Sequence, residues 1–241
     1  MGVASDVGRV RELNEDSLIA QYPVFAVADG MGGHAAGEVA SALTVGVLGQ
    51  LGGRADVSPA DVEGALADAN RTILARVAEH AATAGMGTTV SGVCLGRDAS
   101  RWIVFNVGDS RVYRFADGLL EQLTVDHSEV AELVAAGWLT REQARSHPMR
   151  NVVTRSMGSD PAPIPDIWSR PLDPGERFLI CTDGLNSEVD DAGIAELLHQ
   201  VPDAQQCAET LVRAAVDAGG RDNVSVIVVD LPRSMLVAGC E

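Results

Sequence analysis

Two rhythms of apolar and polar positions run along the chain. Residues 17–29 read as a pair of strands with a tight connection at Gln21-Tyr22-Pro23. Residues 37–51, rich in Ala, Val and Leu, predict a first helix. A second is predicted over 59–80, where Ser58 is placed to cap, Pro59 takes the first turn and Asp61 completes a capping box. Its apolar stripe, Val62, Leu66, Ala69, Ile73 and Val77, has helical spacing and is fitted to pack on a sheet. From Thr88 the rhythm changes to strands, at 88–96, 101–107, 111–115 and 119–123, with Asp117-Gly118 as a hairpin turn. Ser128 then caps a short helix ending at Gly137, and Thr140 caps another with Gln143 in the capping-box position. The stretch 147–166 is irregular, so 128–166 reads as an excursion from the core, a mobile flap beside the site. A strand at 176–182, helices at 190–199 and 204–218, and a closing strand at 223–231 complete the order. Hairpin-connected strands imply antiparallel sheets, and helices arriving in two pairs imply a layer on each outer face. The predicted fold is α+β, a four-layer α-β-β-α sandwich in one domain over 1–231, with a short tail at 232–241.

Composition narrows the function. The chain has 241 residues, enough for a real core, and with 46% hydrophobic but only 4% aromatic residues that core is aliphatic. Net charge is −16, which argues against a duplex nucleic-acid or anionic-membrane surface. All 18 basic residues are arginines. Without lysine there is no Walker phosphate-loop lysine, no kinase strand lysine and no Schiff base. Cys94, Cys181, Cys207 and Cys240 are scattered with no CxxC pair; the first three sit in apolar runs and read as small core residues. With no signal peptide and no long apolar span, a cytoplasmic setting is expected, and nothing demands more than a monomer.

The chemistry is carried by aspartates beside glycines at the ends of apolar runs. They are Ala28-Asp29-Gly30, Val107-Gly108-Asp109 and Thr182-Asp183-Gly184, while Asp222 opens the last run. An apolar run followed by Asp-Gly is a buried strand stopping on a carboxylate. Four such corners suggest strands of one sheet placing carboxylates around a common point. Converging carboxylates repel one another and are tolerable with divalent cations between them, so a hard-metal site is expected. The segment Asp6 to Asp16 adds Arg11, a residue type shaped to grip phosphate, four and five residues before Glu15 and Asp16.

Taken in order, Asp6-x-Gly-x-x-Arg11-x-x-Asn14-Glu15-Asp16, Ala28-Asp29-Gly30-Met31-Gly32-Gly33-His34, Gly87-Thr88-Thr89 and Asn106-Val107-Gly108-Asp109-Ser110-Arg111 form a specific series. Leu123-Thr124-x-Asp126-His127-Ser128, Cys181-Thr182-Asp183-Gly184-Leu185 and Arg221-Asp222-Asn223-Val224-Ser225 complete it. The series resembles the metal-dependent serine/threonine protein phosphatases of type 2C, the PPM family, in its bacterial form, from Asp6 to about Asp230. The resemblance implies a binuclear Mg²⁺/Mn²⁺ site. By motif position Asp29 bridges both metals, the Gly30 carbonyl binds one, and Asp183 and Asp222 hold the other. Glu15 and Asp16 act through metal-bound water, Asp109 with Asp183 forms a third metal site, and Arg11 binds phosphate. The implied reaction is hydrolysis of phosphoserine and phosphothreonine monoesters by a hydroxide bridging the metals. Implied partners are phosphorylated proteins, among them a serine/threonine kinase and its substrates.

One departure concerns the general acid. Met31 stands where eukaryotic members carry a histidine, and Met cannot donate a proton. The reading favours a water on the third metal over His34. His127 is expected to be a structural hydrogen-bonder; His80, His147 and His199 are expected on the surface. Ser110 as a nucleophile is outweighed by turn chemistry and an Arg111 ion pair. Thr88 and Thr89 are placed to shape the site's floor. Two other classes are carried: a two-metal nuclease, disfavoured by the acidic chain, and a catalytically weak regulatory pseudophosphatase that binds partners through the same fold.

Overall fold

A computed structural model describes residues 1–32, 36–80, 83–97 and 101–231. Eleven strands and seven α-helices are present among them: β1 Gly2–Asp6, β2 Asp16–Gln21, β3 Val24–Met31, α1 Gly37–Leu48, α2 Pro59–Glu79, β4 Gly87–Thr88, β5 Val90–Leu95, β6 Arg101–Val107, β7 Arg111–Ala116 and β8 Leu119–Gln122. Then come α3 Glu129–Ala135, α4 Arg141–Arg145, β9 Asp166–Pro171, β10 Arg177–Cys181, α5 Asp183–Asn186, α6 Asp191–Gln200, α7 Ala204–Ala218 and β11 Val224–Asp230. The strands form two antiparallel sheets, β1-β11-β10-β7-β8 and β2-β3-β5-β6-β9, with β4 paired to β3.

Strand parity builds the layers. In β3, Phe25 and Val27 face the other sheet, where Phe178, Ile180 and Ile227 meet them, while Val24 and Ala26 face α1 and α2. In β11, Ile227 and Val229 enter the inter-sheet core, and Val224, Val226 and Val228 face α6 and α7. The central strands are covered on both faces, so their sequences are continuously apolar rather than alternating. Trp102 and Phe178 pack edge to face across the sheets, 4.9 Å between ring centroids. The four-layer sandwich is therefore as expected.

Helix signals were legible where caps exist. Ser58 and Asp61 form the reciprocal box at the start of α2, and Thr140 and Gln143 form one at α4. The expected first helix divides into α1 and a short 3-10 turn at Gly49–Leu51. Strands β1 and β9, with no counterpart in the sequence reading, are edge strands. An edge strand is half exposed, so Gly2-Val3-Ala4-Ser5-Asp6 and Asp166-Ile167-Trp168-Ser169-Arg170-Pro171 carry too few apolar positions to signal themselves.

The excursion 128–166 needs correction at one point. Met157 is 1% exposed and belongs to the core beneath α1 and α2. Gly158 N donates to Asn70 Oδ1 (2.6 Å), Asn70 Nδ2 donates to the Ser159 carbonyl (3.1 Å), and Met157 bridges Thr88 in a β-pair. The excursion is thus pinned to the core at Met157–Ser159, with exposed chain before and after the anchor. Its irregular sequence hid an anchor whose partner, Asn70, lies 88 residues away.

Candidate functional site

The carboxylates meet at one end of the sandwich, but not from one sheet. Asp29 lies two residues before the end of β3, and Asp109 follows β6, both in one sheet. Asp183 follows β10, and Asp222 precedes β11, both in the other. The expectation of a single sheet is thus wrong; two sheets, packed face to face, each contribute a pair of corners.

Asp16 belongs to the same cluster, more deeply than its expected role required. It stands directly opposite Asp29 in the β2–β3 register. Like charges at opposed positions destabilise a strand pair. Its Oδ2 accepts from Thr182 Oγ1 (2.9 Å), while its buried Oδ1 has no hydrogen-bond partner. Burial first, with Asp183 and Asp222 after it, pushes Asp16 up to about 7. Burial, followed by Asp16, Asp183, Asp109 and Asp222, holds Asp29 well above the usual carboxylate range. Asp109 is raised to about 8 by burial and then by Asp183, and Asp183 to about 6 by burial and then by Asp222.

The backbone beneath these groups is tied. Thr89 N–H and Thr88 Oγ1 both donate to the Asp29 carbonyl (2.9 and 2.8 Å), and Asp29 N–H donates to Thr89 Oγ1 (3.1 Å). Thr88 and Thr89 thus do shape the floor. Ser110, 0% exposed and hydrogen-bonded to Thr89 Oγ1 (2.7 Å), has no access to a substrate. Arg111 pairs with both oxygens of Asp126, as the ion-pair reading required. Gly30 and Gly37 let the end of β3 meet the start of α1, since a Cβ on Gly30 would overlap the Gly37 backbone and the Glu15 carbonyl. Glu15 O accepts from Gly30 N–H (3.2 Å), so its backbone braces this corner.

A family model described as Protein phosphatase 2C matches residues 9–217. The chain belongs to the protein phosphatase 2C family. It is 40% identical over 232 residues to the serine/threonine protein phosphatase PstP of Mycobacterium tuberculosis, covering 94% of this chain and 44% of PstP. The chain thus spans less than half the length of PstP. It is 32% identical to the serine/threonine phosphatase stp of Listeria innocua, covering 94% of this chain and 93% of that protein. The crystal structure of PstP superposes with a TM-score of 0.91 at 39% identity, covering 96% and 97% of the two chains. The catalytic domain of PstP has also been solved with two manganese ions; it superposes at a TM-score of 0.87 and 37% identity, with the same coverage.

The residues of this family member suit divalent cations on their own chemistry. Five aspartates face one another; burial and mutual repulsion raise the pKa values of Asp16, Asp29, Asp109 and Asp183, and Asp16 keeps an unpartnered oxygen. Among the described residues, no group of three or more His, Cys, Asp or Glu side chains is already placed closely enough to hold an ion. Arg11 Nη2 donates to Asp222 Oδ2 (2.7 Å), and the arginine is half exposed. Met31 pairs with Gly87 on the rim of the floor; His34 lies outside the described residues.

Asn223 is the residue the sequence reading left without a role. Its Oδ1 accepts from Glu15 N–H (2.8 Å), and its Nδ2 donates to the carbonyls of Val7 and Leu13 (3.0 and 2.9 Å). One buried amide thus holds the Arg11-bearing loop against the Asp222 corner. An asparagine following an aspartate before a strand is a turn signal; nothing local reveals partners 210 and 216 residues away.

Proposed function

We propose that this chain is a metal-dependent protein serine/threonine phosphatase domain over 1–231, hydrolysing phosphoserine and phosphothreonine monoesters. The observation that carries the reading is the cluster of five aspartates drawn from both sheets, with Asp16 opposed to Asp29. Similarity to PstP and to the Listeria stp supports the substrate class, and the manganese-bound PstP domain supports Mn²⁺ as the working metal, with Mg²⁺ as the alternative.

Asp29, the Gly30 carbonyl, Asp183 and Asp222 would hold two ions, Asp109 with Asp183 a third, and Glu15 and Asp16 would orient bound water. The ions would supply positive charge against the phosphate dianion and lower the pKa of water at the site. The chain's own contribution is placement. Thr88 and Thr89 fix the Asp29 backbone, Asn223 fixes the loop carrying Arg11, and Arg11 presents unpaired N–H donors where a phosphate would arrive. The segment 128–156 forms the flap beside this edge, and phosphorylated proteins, including a serine/threonine kinase and its substrates, are the proposed partners. Buried free thiols at Cys94, Cys181 and Cys207 fit a reducing, cytoplasmic setting; burial pushes the first two up to about 12. The pseudophosphatase reading is not favoured, because every expected carboxylate is present. Among the described residues no helix is long and apolar enough to cross a membrane.

The test is hydrolysis of p-nitrophenyl phosphate after EDTA, with Mn²⁺ or Mg²⁺ restored. Metal-restored turnover in the wild type should fall by roughly two orders of magnitude or more in Asp29→Asn, because several kcal/mol of charge stabilisation goes with the carboxylate. A folded wild type inactive with every metal would overturn the enzyme reading in favour of a binding module.

A further inference from the structure

His127 is 5% exposed, and every polar atom it carries is used. Its backbone N–H donates to the Gly108 carbonyl (2.9 Å), and the Gly108 N–H donates to its ring Nδ1 (3.0 Å). The residue thus holds Gly108 at both its N–H and its carbonyl, through the peptides before and after it. Gly108 sits at φ +112, and a Cβ there would overlap Thr89, so the conformation held at Gly108 sets how the chain enters Asp109.

The other half of His127 faces the flap. Its carbonyl accepts from Thr154 N–H (2.8 Å), beside the Ser128–Val153 bridge at the flap's neck. Ring Nε2 lies 3.1 Å from Asp166 Oδ2, at the point where the chain re-enters the sheet as β9. Because Nδ1 accepts from an amide, the ring proton resides on Nε2 and is donated to Asp166. Arg155, also 3.2 Å from Nε2, is then satisfied by Asp166 Oδ1 (3.1 Å), so each carboxylate oxygen takes one donor. The Nε2–H tautomer meets the Gly108 and Asp166 contacts together, and Arg155 turns to Asp166. Ring Nδ1 serves the Asp109 corner, and ring Nε2 serves Asp166 of β9, which in turn holds Arg155 of the flap.

We propose that His127 is a positioning residue that couples the flap to the Asp109 corner, so that a protein substrate engaging the flap is felt at the metal-holding edge. This rests on the phosphatase reading above. It predicts that the two sides of the ring can be separated. His127→Ala cuts both. His127→Asn places an acceptor oxygen where Nδ1 lies but reaches no flap group, and Asp166→Ala cuts the flap side alone.

Three measurements on the whole chain test it: amide exchange at Gly108 by NMR, Mn²⁺ binding by the spectrum of the free ion, and kcat/KM for a phosphothreonine peptide beside that for p-nitrophenyl phosphate. In His127→Ala, Gly108 should lose protection and Mn²⁺ affinity should fall about tenfold, as when an outer partner of a ligand is removed. In His127→Asn and Asp166→Ala, protection and Mn²⁺ affinity should stay at wild-type values, while peptide turnover falls roughly tenfold and aryl phosphate turnover does not. The proposal is overturned if His127→Ala binds Mn²⁺ like the wild type. It is equally overturned if the two flap-side variants leave peptide turnover unchanged, a result obtainable even when His127→Ala does not fold. Wild type that binds no Mn²⁺ would overturn the metal reading on which the coupling rests, a failure distinct from a clamp that proves idle in a metal-binding protein.

Discussion

Replacing Asp16 with asparagine should make the metal-free protein more stable and the metal-loaded one less so. Asp16 lies opposite Asp29, with one oxygen held by Thr182 and the other unpartnered. Asparagine keeps the shape and the acceptor for Thr182, and it removes the charge. The folded pKa of Asp16, about 7, lies above its ordinary value of 3.8, chiefly through burial. A raised folded value means that the contribution to stability is fully present below about pH 4 and is lost as pH rises through about 7. The whole displacement corresponds to about 4 kcal/mol, at about 1.4 kcal/mol per tenfold change in proton affinity. Asp29 and Asp183 share the same repulsion, so we expect Asp16→Asn to gain about 2–4 kcal/mol near pH 8 and under about 1 kcal/mol near pH 4. Urea denaturation in EDTA at the two pH values measures this, and repeating it with Mn²⁺ should show the wild type gaining more than the variant. A metal-free variant no more stable than wild type near pH 8, or a gain independent of pH, would refute the argument that uncompensated carboxylates strain this edge.

Gly184→Ala should cost about 2 kcal/mol or more in urea denaturation, because the new methyl would overlap the Asn223 carbonyl and push apart the Asp183 and Asp222 corners. Ser58→Ala should cost about 1 kcal/mol of stability with catalysis unchanged, since it breaks the α2 cap far from the aspartates. Asp61, held at about 2 chiefly by the Ser58 hydroxyl, contributes stability present above about pH 4 and lost as pH falls toward 2; acid denaturation of Asp61→Asn should lack that component. Removing the flap segment before Met157 should lower phosphopeptide turnover more than p-nitrophenyl phosphate turnover; equal losses would show that it serves folding rather than substrate selection.

Much of the fold was legible because its signals are local. The α2 cap, the stripe from Val62 to Val77, the Asp117-Gly118 turn and the aliphatic central strands each announce themselves within a few residues. Asp29, Asp109, Asp183 and Asp222 were legible for the same reason: each ends or opens an apolar run. Edge strands β1 and β9 were not, because half-exposed strands need no apolar pattern. Nor was the anchoring of Met157, which depends on Asn70 of a distant helix.

By itself the sequence determined which residues could be charged, buried or turned, and hence that several carboxylates would end buried strands. Tertiary structure decided that these carboxylates come from two sheets, that Asp16 faces Asp29, and that Asn223 and His127 tie distant segments to the site. The physical reason is range. Propensity, capping and strand parity act over a few neighbouring residues, whereas a buried polar group takes whatever partner the closed sandwich brings to it, here up to 216 residues along the chain.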